Sequence, residues 1–217
     1  MIDMVSRRLA IRTWLASTLV IASVVVSAQT STLLTKKERQ ELDTFFSNFS
    51  EVGVQPFREG HISNDALIYF GVMHNYLNND KRFRSPDGTF NSKISARYVD
   101  ESVEKFFGRH ITHHVSVRRN VIYKGGYYTL EMGEGEPWNF SQVSEFRTLG
   151  HNRFAAVVSV FTAPNAWNGK VHAPPPSWKD EGDGIPEFRL RFRAIIRRVE
   201  DHGRRRYILL DYQEQPN

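Results

Sequence analysis

Phe188-Arg189-Leu190-Arg191-Phe192-Arg193-Ala194-Ile195-Ile196-Arg197 alternates apolar and basic side chains with a period of two. Successive side chains of a strand point to opposite faces, so this stretch reads as a strand with one face on a core and one in solvent. Asp201-His202-Gly203 then reads as a three-residue hairpin loop, with Gly203 suited to its left-handed position. That loop sets a register in which Glu200 faces Arg204, Ile196 faces Ile208 and Arg193 faces Asp211. The core face then collects Phe188, Leu190, Phe192, Ala194, Ile196, Ile208, Leu210 and Tyr212. Arg189, Arg191, Arg193 and Arg197 point the other way, with Arg205 across from Val199.

Upstream, Gly125-Gly126 and the Gly150 to Asn152 segment separate further strand-like runs, which places strands over most of 115–162 and 187–214. Before Val115 the period is helical. Leu42, Phe45, Phe46 and Phe49 form one apolar stripe behind the capping-box pattern Thr35-Lys36-Lys37-Glu38. Ser63 precedes a second stripe of Leu67, Phe70, Met73, Tyr76 and Leu77. Ser95 precedes a third of Val99, Val103, Phe106 and Phe107, with Gly108 just past its end. The spacing predicts helices over 36–50, 64–79 and 96–107. Helices followed by hairpins imply an α+β domain, with about three N-terminal helices on one face of a curved antiparallel sheet of about six strands.

Residues 1–28 read as an export signal. Arg7, Arg8 and Arg12 precede the apolar run Trp14 to Val26, and Val26-Ser27-Ala28 offers small residues at a cleavage site. The expected mature protein is a single domain, 29–217, that is periplasmic or extracellular and has no transmembrane helix once the signal is removed. The chain has no cysteine, which excludes disulfides, thiol catalysis, Cys-ligated zinc and a lipobox. Its formal charge is +5, and loss of Arg7, Arg8, Arg12 and Asp3 takes it to +3. That is too mild to imply nucleic acid, and no nucleic-acid partner is expected.

Three helices followed by about six strands resemble the cone-shaped domains typified by nuclear transport factor two, with a cystatin-like arrangement as the near alternative. Ile68 to Tyr76, Ser95 to Gly108 and the hairpin Tyr123-Lys124-Gly125-Gly126-Tyr127-Tyr128 are similar to segments of small bacterial cell-envelope proteins, many of them lipoproteins. This second resemblance spans roughly residues 35–212. It implies an envelope setting and carries over no catalytic residue. The missing lipobox cysteine departs from the lipid-anchored members.

No motif in the mature chain identifies a reaction. His110-x-x-His113-His114 is the densest histidine group, but Gly108 ends the preceding helix, and zinc requires three or four convergent ligands. A polar loop entering the first strand is the expected reading, with no metal and no cofactor. Ser102-Val103-Glu104-Lys105 has the spacing of a Ser-x-x-Lys nucleophile without its companion motifs. Glu131, Glu134 and Glu136 read as a solvated acidic hairpin loop, and His74 as a histidine at a helix–sheet boundary.

Two features point to binding. The first is the arginine row, Arg189, Arg191 and Arg197 above all, within a stretch holding eight arginines in 18 residues. Guanidinium groups recognise phosphate, sulfate and carboxylate bidentately. The second is the Pro/Trp-rich loop at 163–186, where Trp167 and Trp178 are expected to be exposed beside Pro174-Pro175-Pro176. The reading is an exported, non-catalytic binding or accessory protein whose partner is an anionic polymer or an envelope protein. The alternative is a small hydrolase or isomerase with a histidine base in a cone-shaped cavity.

Overall fold

The computed structural model describes residues 33–84, 91–131, 138–180, 182, 184–201 and 203–216. The leader expected at 1–28, together with Glu134 and Glu136, lies outside them. The fold is α+β. Helices α1 (Lys36–Val52) and α2 (Asn64–Asn78) are followed by strand β1 (Asn91–Ser95), which runs directly into α3 (Ala96–Phe107). Strands β2 (Val121–Lys124), β3 (Tyr127–Glu131), β4 (Trp138–Gly150), β5 (Arg153–Ala163), β6 (Glu187–Asp201) and β7 (Arg204–Gln215) complete the order. Short 3-10 turns occupy Asp80–Arg82 and Pro175–Ser177. Among the described residues, no helix is long and apolar enough to cross a membrane.

The helices form where their caps and stripes place them. The Thr35 hydroxyl accepts from the Glu38 amide at 3.2 Å, and the Glu38 carboxylate accepts from the Thr35 amide at 2.9 Å, so each partner satisfies a free donor of the first turn of α1. Ser63 caps α2 by accepting from Ala66 at 3.1 Å. Ser95 holds the capping position of α3, but its side chain makes no capping bond, contrary to expectation.

The strands do not form one sheet. They divide into a three-stranded antiparallel sheet, β1-β3-β2, and a four-stranded one, β4-β5-β6-β7. β1, which the period did not reveal, pairs with β3 from Asn91↔Glu131 to Ser95↔Tyr127, while β2 holds the other side of β3. With both edges of β3 taken, β4 becomes an edge strand. Its exposed backbone is met by α1 instead. The Val143 amide donates to Asp43 Oδ1 at 2.7 Å, the Ser141 amide donates to Ser47 Oγ at 3.0 Å, and the Val143 carbonyl accepts from Arg39 at 2.5 Å.

The two sheets give two cores that share α2. Leu67 and Phe70 face Phe45, Phe46, Phe49, Phe106 and the inner side of the long sheet. Ile68 and Val72 face Ile94, Val99, Val121 and Tyr128 of the small one. The close crossing of α2 and α3 requires Gly71, because a Cβ there would lie 2.6 Å from Val99 Cγ1 and 2.9 Å from the Val99 carbonyl oxygen.

The last hairpin departs from the expected register. Asp201 pairs with Arg204 and Glu200 with Arg205, so the loop has two residues instead of three. This register runs to Ile196↔Leu209, and a bulge between Ile195 and Ile196 then shifts the rest, giving Ile195↔Asp211 and Arg193↔Gln213. A one-residue slip exchanges the faces of a strand, so Leu209 enters the main core in place of Ile208 and Leu210. The bulge returns Tyr212 to the inside, stacked 3.8 Å from Phe192. Ile208 is buried instead against Gly108, and Phe188, expected in the core, is 44% exposed.

Candidate functional site

The outer face of the long sheet turns away from α1. Here the register aligns Arg147 with Ala155 and Ile195, Glu145 with Val157 and Arg193, and Arg153 with Arg197. A groove of about 370 Å³ lies across these strands, floored by Ala155 and Val157 and walled by Glu145, Arg147, Arg193 and Gln215. Arg191, Arg193 and Arg197 are exposed, as the alternation predicts. Arg189 is exposed too but is out of line. It occupies the bulge between Leu190↔Val160 and Phe188↔Phe161, and it lines a separate cavity on the helix side with Gly53, Val54 and Glu214. The expected four-arginine row is therefore a row of three.

Charge neutralisation on this face is uneven. Arg153 grips Glu59 with two bonds, at 3.1 and 2.5 Å. Asp211, the expected partner of Arg193, instead accepts from the Glu59 amide at 3.0 Å. Arg191 lies 5.8 Å from the centre of the Phe188 ring. Among the described residues no carboxylate pairs with Arg191, Arg193 or Arg197. Arg197 also stands directly opposite Arg153, whose charge Glu59 already meets.

The Trp-bearing loop is not the exposed spacer that the sequence suggested. Trp167 is only 4% exposed and Trp178 is half-buried. Trp167 stacks parallel on Phe140 at 5.8 Å, and Trp178 meets Phe161 edge-on at 5.0 Å. Phe140, Phe161 and Ala163 project outward from β4 and β5, and the loop folds over them to form a third apolar cluster. Gln142 Nε2 fastens the loop by donating to the carbonyls of Val171 (2.5 Å) and Ala173 (2.8 Å). His172 Nδ1 lies 3.3 Å from Asp43 Oδ2, a carboxyl that burial raises above its usual range. The signal for this cover was present in the sequence: Trp138, Phe140 and Phe161 leave this end of the sheet apolar on its outer face.

Among the described residues, His74 lies in the main core, apart from His113 and His114. His74 is 4% exposed, stacked on Phe70 at 5.5 Å and edge-on to Phe106 at 4.5 Å. Burial, aided by Lys105 and Arg82, lowers its pKa to about 4. His114 Nδ1 is 2.8 Å from the Tyr128 hydroxyl and its Nε2 is 3.4 Å from Asp100, while His113 Nδ1 contacts Thr112. Among the described residues, no three metal-binding side chains converge. Ser102 is buried, its hydroxyl accepting from Asn75 at 2.8 Å. The residues from 115 to 120, expected to begin a strand, contribute only the isolated bridge Val117↔Val121.

No family model matches the chain, and neither does any curated protein or solved structure.

Proposed function

We propose that this chain is an exported, non-catalytic binding protein whose outer sheet face takes an anionic partner, either a polymer or the acidic surface of an envelope protein. The observation that carries this reading is the row Arg191, Arg193 and Arg197, exposed on a rigid strand beside a groove and unpaired with any described carboxylate. The strand sets the spacing of the backbone positions from which the guanidinium groups extend, and each long side chain carries its own ordering cost on binding. Export rests on Arg7, Arg8 and Arg12, the apolar run behind them and the small residues ending at Ala28. The resemblance to envelope proteins points to the same compartment.

Retention on a heparin column at low salt tests the partner chemistry. The protein should bind and elute as ionic strength rises, because exposed charges are screened over about 10 Å at 0.1 M salt. Arg191→Gln with Arg197→Gln should elute markedly earlier, and unchanged elution of this pair would overturn the reading. N-terminal sequencing of protein extracted from cells tests export, with Gln29 expected as the first residue. An intact Met1 would argue against cleavage.

A further inference from the structure

A crevice of about 190 Å³ opens where β1, the start of α3 and the turn at Asp80–Arg82 meet. Arg82, Arg84, Lys93 and Arg97 line it, with Ser95, Tyr98 and Tyr127 between them. Two of these cations are held in place from behind. Arg82 donates to Asn75 Oδ1 at 3.1 Å, and Asn75, fully buried, is itself fixed by donating to the Gly71 carbonyl at 2.7 Å and the Ser102 hydroxyl at 2.8 Å. The Arg82 guanidinium lies 4.6 Å from the centre of the Tyr98 ring, and that of Arg97 lies 5.8 Å from it. Both also reach Glu101, at 3.5 and 3.0 Å.

One carboxylate between two guanidinium groups leaves an uncompensated positive charge. Arg84 and Lys93 add two more, brought side by side by reciprocal backbone bonds of 2.8 Å. Neither pairs with a described carboxylate. The Ser95 hydroxyl, unused as a helix cap, stands on the same wall, and the positive end of α3 adds to the field.

We propose that this crevice is a second anion site, selective for one compact tetrahedral anionic group, the phosphate or sulfate of a monoester. Its size suits a single tetrahedral group rather than an extended polymer. Several forked donors on three elements match the three free oxygens of such a group. Tyr127, 45% exposed at the rim, offers an apolar surface to whatever the ester carries. The site shares no residue with the outer-face row, so either can fail without the other.

Inorganic phosphate and inorganic sulfate, titrated separately into the purified protein at ionic strength matched with chloride, give the test. Saturable one-to-one binding is expected by calorimetry, and the anion bound more tightly identifies the ester class. Arg84→Gln with Lys93→Gln removes two exposed charges that make no side-chain bond within the described fold. This pair should weaken binding at least tenfold while leaving thermal unfolding and heparin retention unchanged. Arg191→Gln with Arg197→Gln should leave phosphate and sulfate binding unchanged. Non-saturating heats, or equal weakening by both pairs, would overturn the proposal.

Discussion

Two parts of the outer face of the long sheet, one on β4 and β5 and one on β6, meet solvent differently. At the β4/β5 end the outward residues are Trp138, Phe140, Phe161 and Ala163, and Trp167, Val171 and Trp178 of the following loop pack over them. Farther along the same face the outward residues are Arg191, Arg193 and Arg197, and they remain in solvent. Apolar surface left in water costs about 25 cal/mol per Å², so a chain able to cover it gains by doing so. A hydrated guanidinium gains nothing from a protein cover that offers no carboxylate. A long loop is therefore structural where it meets aromatic rings, and a bare charged strand is the place to look for ligands.

The strongest test of this contrast is Trp167→Ala. If the loop is a core element, the variant should lose about 3–5 kcal/mol, as buried aromatic truncations do. A chemical denaturation curve reads this directly, and a loss below about 1 kcal/mol would mean the loop rests on the sheet without stabilising it.

A comparable effect should come from acid, and from a different place. His74 of α2, packed on Phe106 of α3, sits neutral with its pKa lowered to about 4, against an unfolded value near 6.5. Between those values the unfolded chain binds a proton that the folded chain does not. Stability should therefore fall as pH drops from about 6.5 to 4, by about 3 kcal/mol in all. His74→Phe, which keeps an aromatic ring between Phe70 and Phe106, should flatten the pH dependence of thermal unfolding in that window. If acid sensitivity survives, it arises from groups other than His74.

Gly169→Ala offers a gentler way to disturb the cover. A Cβ at Gly169 would overlap the indole of Trp167, so loop and ring must shift apart. The expected cost is about 1–3 kcal/mol, with increased proteolysis confined to the loop. The smallest effect belongs to the bare end. Arg191→Gln with Arg197→Gln should change stability by less than about 0.5 kcal/mol, since neither side chain is buried. A larger loss would show that the arginines support the sheet, and the contrast between its two ends would disappear.

Much of this architecture is legible along the chain. The capping box at Thr35 and Glu38, the Leu42-Phe45-Phe46-Phe49 stripe and the glycine at 108 locate α1 and α3 closely. Period two from Phe188 to Arg197 identifies β6 and its solvent face. The candidate site is legible to the same degree: Arg191, Arg193 and Arg197 are exposed, while Arg189 is displaced by a bulge that no local pattern announces. The crevice of Arg82, Arg84, Lys93 and Arg97 is invisible in the sequence, because β1 is short and its partner β3 lies more than thirty residues downstream.

Hydrophobic period, caps and turn residues act between neighbours a few positions apart, so the sequence alone determined the three helices with their apolar stripes and the approximate extents of the longer strands. Pairing and cover depend on which distant segments arrive at the same place, so only the tertiary structure decided them. β3 satisfies both its edges with β1 and β2, which leaves the edge of β4 to the side chains of α1 and separates the sheets. A two-residue loop and one bulge reset the register of β7, exchanging Ile208 for Leu209 in the core. Trp167 is a surface tryptophan by local composition and a core one by position, because the free energy of burying an indole depends on what lies opposite it.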